Sequence, residues 1–353
     1  MNKFYLVFLL LFTFSGFLSA QDDTAVEDTT LVVAENQEAE LAYNKGLDDF
    51  KAKDYQTAIS DFTQAISLKV KFAKAFYNRG NVYAQLKQLD KAIIDYDSAL
   101  AVEPTMSIAY YSRGRAKHLK NDKQGALADY QKAVEAGLKE PKAYYYSGLI
   151  KFQDSDYKGA VDSYTKAIEL DKKYAYAYND RGSAYRKLEK YDEAIADYNM
   201  ALRISPDLDF AYNNLGSVKR KKEDYDGAIA DYSMAIKTNP KYYMAYNNRG
   251  SAECDKKDYE KAIKDFEKAI SIKNDYVYAI NNLGTAKMKQ KKYKEAIEQF
   301  SKAIELDAKY GVAYLNRGIS KEELRKFDDA CADWKKAKEL GVKIAETYIQ
   351  ECK

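Results

Sequence analysis

Residues 177–208 read AYNDRGSAYRKLEKYDEAIADYNMALRISPDL. Small and aromatic residues recur in this stretch three and four apart, in two bursts, with the polar pair Glu189-Lys190 between them. Those intervals mark one face of an α-helix, so the stretch predicts helix, turn, helix. Outward from Gly182, glycine stands 34 residues away on either side, at Gly148 and Gly216. The same step runs unbroken through Gly46, Gly80, Gly114, Gly250, Gly284 and Gly318. Nine copies without insertion mean one supersecondary unit stacked repeatedly, and an extended surface rather than a closed pocket.

With each glycine at position 8, the first repeat starts at Ala39 and the ninth spans 311–344. Positions 20 and 27 are alanine in all nine repeats (Ala58 to Ala330 and Ala65 to Ala337), and position 24 is always aromatic, from Phe62 through Tyr198 to Trp334. The small residues let two helix backbones approach, and the rings fill the space between layers. All four prolines fall at the junction between units: Pro104, Pro206 and Pro240 at position 32, and Pro141 at position 1. There they end one helix or open the next without breaking an interior.

This pattern resembles the tetratricopeptide repeat family over residues 39–344. The resemblance implies an all-α fold, a right-handed α-solenoid of helix-turn-helix repeats whose first helices (A) make a concave wall and whose second helices (B) lie outside. Departures are few. Position 7, usually leucine in the family, is arginine in five repeats, and position 11 is tyrosine only at Tyr83 and Tyr185.

The flanks read differently. Residues 1–20 carry an early Lys3, an uncharged apolar run 4–18 and Ser19-Ala20, the pattern of a secretory signal peptide, although Leu18 is imperfect at the cut and an uncleaved anchor is the alternative. Residues 21–38 hold six acidic and no basic residues and read as a solvated, disordered spacer. Residues 345–353 look like a truncated A helix that caps the last repeat, with Tyr348 at position 4. Export to a periplasmic or secreted location follows as an expectation, with no membrane span after cleavage. The three cysteines, Cys254, Cys331 and Cys352, are too few and too odd for a disulfide framework, so Cys331 is expected to be a buried small hydrophobe.

Charged residues make up 31% of the chain, yet the net charge is only +3, so no global field points to nucleic acid. The runs 219–222 and 289–294 read as a solvated basic rim. No phosphate loop, nucleophile elbow or Cys/His metal spacing occurs, and His118 is the only histidine. The expectation is a non-enzymatic protein without metal or cofactor.

The position-7 arginines have partners in the sequence. Arg79, Arg113, Arg181, Arg249 and Arg317 each have an aspartate 16 residues on, at Asp95, Asp129, Asp197, Asp265 and Asp333. This predicts an ion pair from helix A to helix B.

Binding is expected on the concave wall. Position 6 carries Asn44, Asn78, Asn214, Asn248, Asn282 and Asn316, and position 5 adds Asn179, Asn213, Asn247 and Asn281. An amide matches both groups of a peptide bond, so a row of them suits the backbone of an extended partner. Tyr43, Tyr77, Tyr111 and Tyr145 occupy position 5 in the first four repeats and could stack on side chains or sugar rings. Arg186 and Arg220 would favour an acidic partner. The expected function is an exported scaffold that binds protein or extended peptide. The alternative is a carrier for an envelope glycan or peptidoglycan, held by the tyrosines.

Overall fold

The computed structural model describes residues 29–350 and Cys352. The signal-peptide segment 1–20 lies outside the described residues. Contacts divide the chain into two compact units, residues 1–104 and 105–353. The first holds two repeats: α1 (Thr29–Lys51), α2 (Tyr55–Leu68), α3 (Ala73–Gln85) and α4 (Leu89–Val102). The second opens with α5 (Ser107–Leu119), α6 (Lys123–Glu135), α7 (Pro141–Gln153), α8 (Tyr157–Leu170), α9 (Ala175–Lys187) and α10 (Tyr191–Ile204). It continues with α11 (Asp209–Lys221), α12 (Tyr225–Thr238), α13 (Tyr243–Asp255), α14 (Tyr259–Ile272), α15 (Val277–Lys289) and α16 (Tyr293–Leu306). It closes with α17 (Gly311–Glu322), α18 (Phe327–Glu339) and α19 (Ala345–Ile349). Odd numbers up to α17 are A helices and even numbers are B helices. The described residues are helices and turns, as the all-α reading expects.

Each A helix packs on its own B helix, and each B helix on the next A helix of its unit. Within the second unit successive A helices from α7 to α17 also touch one another, so they form the tighter side of the stack. The reason lies in small residues. Alanine at position 3 is fully buried in the A helices from Ala109 to Ala313, and positions 20 and 27 are fully buried throughout. The position-24 rings, from Phe62 to Trp334, are at most 1% exposed. Gly182 shows how close the backbones come: a Cβ there would meet Tyr198 Cε1 at 3.0 Å and the Ala194 carbonyl oxygen at 3.2 Å. A larger residue overpacks that contact, at a typical cost of about 1–3 kcal/mol.

The turn from A to B is uniform. Position 15 has positive φ in every repeat, at Lys53, Lys87, Asn121, Ser155, Glu189, Glu223, Lys257, Lys291 and Arg325. None of these is glycine. In five repeats an aspartate then caps helix B, as where Asp224 accepts from the Gly227 amide at 2.9 Å.

The position-7 arginines do form the expected pairs, and they reach further. Arg181 Nε and Nη2 donate to Asp197 at 2.7 and 2.8 Å, a bidentate charge-assisted pair. Its Nη1 donates to Thr165 Oγ1 of the preceding B helix at 3.0 Å, and its guanidinium lies 5.5 Å from the Tyr178 ring centroid. Arg249 and Arg317 repeat this arrangement with Ser233 and Ser301. Each such arginine therefore ties three helices together. Lysine at position 11, in place of the family's tyrosine, serves the same aspartate position: Lys117 pairs with Asp129, Lys219 with Asp231 and Lys321 with Asp333.

Two boundaries differ from the sequence reading. Helix α1 starts at Thr29, inside the stretch read as spacer. Elongating a packed helix fixes one residue per new hydrogen bond, and Leu, Ala, Glu and Gln in residues 31–38 are good helix formers. At the other end Cys331 of α18 and Cys352 form a disulfide, which corrects the reading of Cys331 as a plain apolar residue. The bond holds the end of the chain over the last layer, where Tyr348 packs on Trp334 with ring centroids 5.1 Å apart. The pairing needs the fold of α19 to bring the two cysteines together, which spacing alone could not show.

Candidate functional site

The A helices position their fifth and sixth residues at the seam between neighbouring repeats. There the side chains join into a ladder. Asn316 Nδ2 donates to Asn281 Oδ1 at 3.3 Å, Asn282 Nδ2 to Asn247 Oδ1 at 3.0 Å, Asn248 Nδ2 to Asn213 Oδ1 at 2.9 Å and Asn214 Nδ2 to Asn179 Oδ1 at 3.1 Å. Each bond links position 6 of one repeat to position 5 of the repeat before. In the same place Asn78 Nδ2 donates to Tyr43 Oη at 2.8 Å, and Tyr145 Oη donates to Asp180 at 2.7 Å.

The ladder changes the reading of the inner residues. Asn179, Asn213, Asn247 and Asn281 are buried, with exposures of 3–8%, so they are joints between repeats and are not available to grip a partner's backbone. Burying an amide is costly unless it is hydrogen-bonded, and the next repeat supplies the bond. The position-6 residues Asn78, Asn214, Asn248, Asn282 and Asn316 are half-buried, and Asn44 is exposed, so this row alone still faces outward from the seam.

The tyrosines are also drawn into the layers. Tyr111 is buried against Tyr130, and Tyr43, Tyr77 and Tyr145 pack on Phe62, Tyr96 and Tyr164 with ring centroids 5.8–5.9 Å apart. Packing between layers accounts for their place at position 5, and it takes ring faces that a sugar would need.

In the second unit a cleft of about 480 Å³ opens beside α9, α11 and α13, lined in part by Arg186, Lys187, Arg220, Lys221, Tyr232 and Asp255. The two arginines read as cations for an acidic partner differ there. Arg220 Nε donates to Asp255, 35 residues on, at 2.5 Å. Arg186 has Lys221 at the corresponding place, and its buried Nε has no hydrogen-bond partner. The neighbouring basic run is otherwise neutralised, with Lys219 on Asp231 and Lys222 on Asp192.

Asp180 is the other departure. It is the only acidic residue at position 6, and among the described residues it accepts from neutral donors, Tyr145 Oη and, at 2.8 Å, Asn179 Nδ2. Burial raises its pKa above the ordinary 3.8, against the two hydrogen bonds.

Other reactive groups have ordinary surroundings. His118 lies 6.3 Å from the Tyr146 ring, and burial, with Lys123 and Arg115 nearby, lowers its pKa. The free Cys254 thiol is half-buried, and burial pushes its pKa up to about 11, which disfavours the reactive thiolate. Among the described residues no cluster of His, Cys, Asp and Glu could hold a metal, and no helix is long and apolar enough to cross a membrane.

Comparison with known proteins agrees with the repeat fold. The family profile described as tetratricopeptide repeat matches residues 73–106, 175–208, 210–242 and 277–310, and a second, described as TPR repeat, matches 148–188 and 250–291. No curated protein matches the chain closely. Among solved structures, the C-terminal part of a TPR repeat-containing protein from Cytophaga hutchinsonii is 18% identical with a TM-score of 0.58, over 68% of this chain and 99% of that one. YrrB, described as a TPR protein with an unusual peptide-binding site, is 25% identical with a TM-score of 0.48, over 52% of this chain and 95% of its own. Yeast Tom70 is 17% identical with a TM-score of 0.48, over 88% and 94%. With the profiles covering more than half of the sequence and the helix pairs standing where the 34-residue step puts them, the chain belongs to the tetratricopeptide repeat family, whose fold serves in general as a scaffold for protein interaction.

Proposed function

We propose that the protein is a non-enzymatic scaffold that holds an extended, acidic segment of a partner protein along its A helices, anchored in the cleft at Arg186. One observation carries this reading. Arg220 has Asp255 as its counter-charge, whereas Arg186 has Lys221 at the equivalent offset in the same cleft and, among the described residues, a buried Nε without a partner. A carboxylate from outside would give Arg186 what Asp255 gives Arg220, in a cleft where charge-assisted bonds are strong. The half-buried position-6 amides flank this anchor and offer polar contact to a backbone passing over them.

Lys221→Asp tests the anchor, because it supplies Arg186 with an internal partner at the same 35-residue offset. A fluorescent glutamate-rich peptide should bind the wild type in a salt-sensitive way and bind the variant about tenfold more weakly, a loss of about 1.4 kcal/mol. Equal binding to both proteins would place the partner elsewhere.

Export is part of the same proposal. The apolar run 4–18 supports it, and so does the Cys331–Cys352 disulfide, since such bonds persist in oxidising compartments. Alkylation of protein taken from cells should find one free thiol per chain, and three free thiols would argue for a reducing location. The glycan-carrier alternative has less support, because the tyrosines it relies on pack within the layers.

A further inference from the structure

We propose that Asp180, with the rings of Tyr145 and Tyr174 beside it, forms a receptor for one cationic side chain, a lysine or arginine of the partner segment. The aspartates at position 23 show what a buried carboxylate normally has in this protein. Asp129 takes both Arg113 and Lys117, and Asp197 takes both nitrogens of Arg181. Among the described residues Asp180 has neither, although it is half-buried at the seam between repeats. Its two bonds come from a phenol and an amide and leave its remaining lone pairs open. An asparagine would complete the ladder at this place, as Asn214, Asn248, Asn282 and Asn316 do in other repeats, so the ladder itself does not call for a charge.

The surroundings suit a cation. Tyr145 packs on Tyr174 at 4.9 Å and on Tyr146 at 5.6 Å between ring centroids. Tyr145 is packed within the layers and offers its hydroxyl to the carboxylate, so the half-buried Tyr174 is the ring for a cation to contact. Aromatic faces attract ammonium and guanidinium groups, more strongly where water is partly excluded. The same cluster already shows the contact, since the Arg115 guanidinium lies 5.5 Å from the Tyr146 centroid. That arginine covers Tyr146, whereas Tyr145 and Tyr174, with Tyr164 and Tyr198 deeper in the layers, lie near Asp180. Glu140 adds a second negative charge near Tyr174. The raised pKa of Asp180 fits a carboxylate that lacks a counter-ion.

The receptor lies in the same run of A helices as the Arg186 anchor but uses different residues, and it rests on the reading of that face as a peptide site. A partner with an acidic residue and a basic residue spaced to reach both would be read for orientation as well as charge.

Asp180→Asn is the test, in the full chain. The probes are a blocked Gly-Ser-Ala peptide with one central lysine and its norleucine twin. The wild type should prefer the lysine peptide by about tenfold, and the variant should bind the two equally. Loss of preference in a variant that still unfolds cooperatively and melts no lower than wild type supports the receptor. The same preference in both proteins, or measurable but equal binding of the two peptides by the wild type, overturns it. n-Butylammonium titrated into tyrosine-labelled protein reads the site without any peptide. Shifts of the Tyr145 and Tyr174 ring signals in the wild type but not in the variant support the receptor even if neither peptide binds, and their absence overturns it. The scaffold reading is judged separately by the glutamate-rich peptide and Lys221→Asp.

Discussion

Arg181 shows how much one side chain can hold. It is 16% exposed, its partner Asp197 is 8% exposed, and it touches its own B helix and the B helix before it. Removing one member of a buried pair leaves the other charge without compensation, so Arg181→Ala and Asp197→Ala should each cost about 3 kcal/mol in urea unfolding. The double variant should cost well under the sum, with a coupling above about 1 kcal/mol, and simple additivity would dismiss the joint. Asp180 gives a prediction of opposite character. Its folded-state pKa lies above the 3.8 of the free side chain, so the folded protein binds the extra proton first. Its burial therefore costs stability at neutral pH, and that cost is relieved as pH falls through the folded-state pKa toward about 4. The groups that face it, Tyr145, Tyr164, Tyr174 and Tyr198, all have raised pKa values and stay neutral across this range. Asp180→Asn should melt higher than wild type at pH 7, with the gap closing by pH 4. A gap independent of pH would mean that the aspartate is not held in this way.

Among the elements, the A-to-B turn keeps stability in reserve. Position 15 takes the left-handed conformation in all nine repeats without glycine, and a side chain there costs roughly 1–2 kcal/mol. Glu189→Gly should thus stabilise the fold, by up to about 1 kcal/mol once the added freedom of the unfolded chain is counted. A lower urea midpoint would show that the Glu189 side chain holds a contact worth more than the strain. These turns are only half legible in the sequence. Glu189-Lys190 and Lys53-Asp54 mark where the helices break, but nothing marks the sign of φ. The helices themselves are plain, because position 8, 20, 24 and 27 residues are fixed by steric fit. Buried positions 3 and 10, such as Ala177 and Ala184, are inconspicuous, since alanine and valine there look like ordinary helix formers. The seam is misleading for a clearer reason. Asn at position 5 and Asn at position 6 look like one pair of groups within a repeat, and Asn247 does donate to Asn248, but position 6 also donates to position 5 of the repeat before. The signal is present in repeat 9, where Leu315 stands at position 5 and Asn316 is retained, serving Asn281.

For the molecule as a whole, each repeat leans chiefly on its neighbours, so stability is local and ends matter. The Cys331–Cys352 bond closes one end, over a sequence separation of 21. A loop of that size stabilises by about 3 kcal/mol in the chain-entropy account. Cys352→Ser should therefore lose amide protection in α17, α18 and α19 while leaving α9 to α12 as protected as before. Uniform loss along the second unit would show longer-range cooperativity than nearest-neighbour stacking allows. The array and its length are legible from glycine spacing. The partner chemistry is not, because it rests on exceptions to the repeat, Lys221 opposite Arg186 and Asp180 among asparagines, which gain meaning only when the seam is seen.

The ladder has one more consequence. Each rung offers an amide backward and leaves a carbonyl open forward, so the cut face behind any asparagine repeat matches the face ahead of it. A single residue added inside an A helix would turn the downstream half of that helix by about 100° and leave the rungs misaligned. Thirty-four residues added together, Asn213 and Asn214 included, would knit in without a break. Gene duplication by whole units is thus the edit this architecture accepts most readily, and an unequal crossover could lengthen or shorten the protein while every buried amide kept a mate.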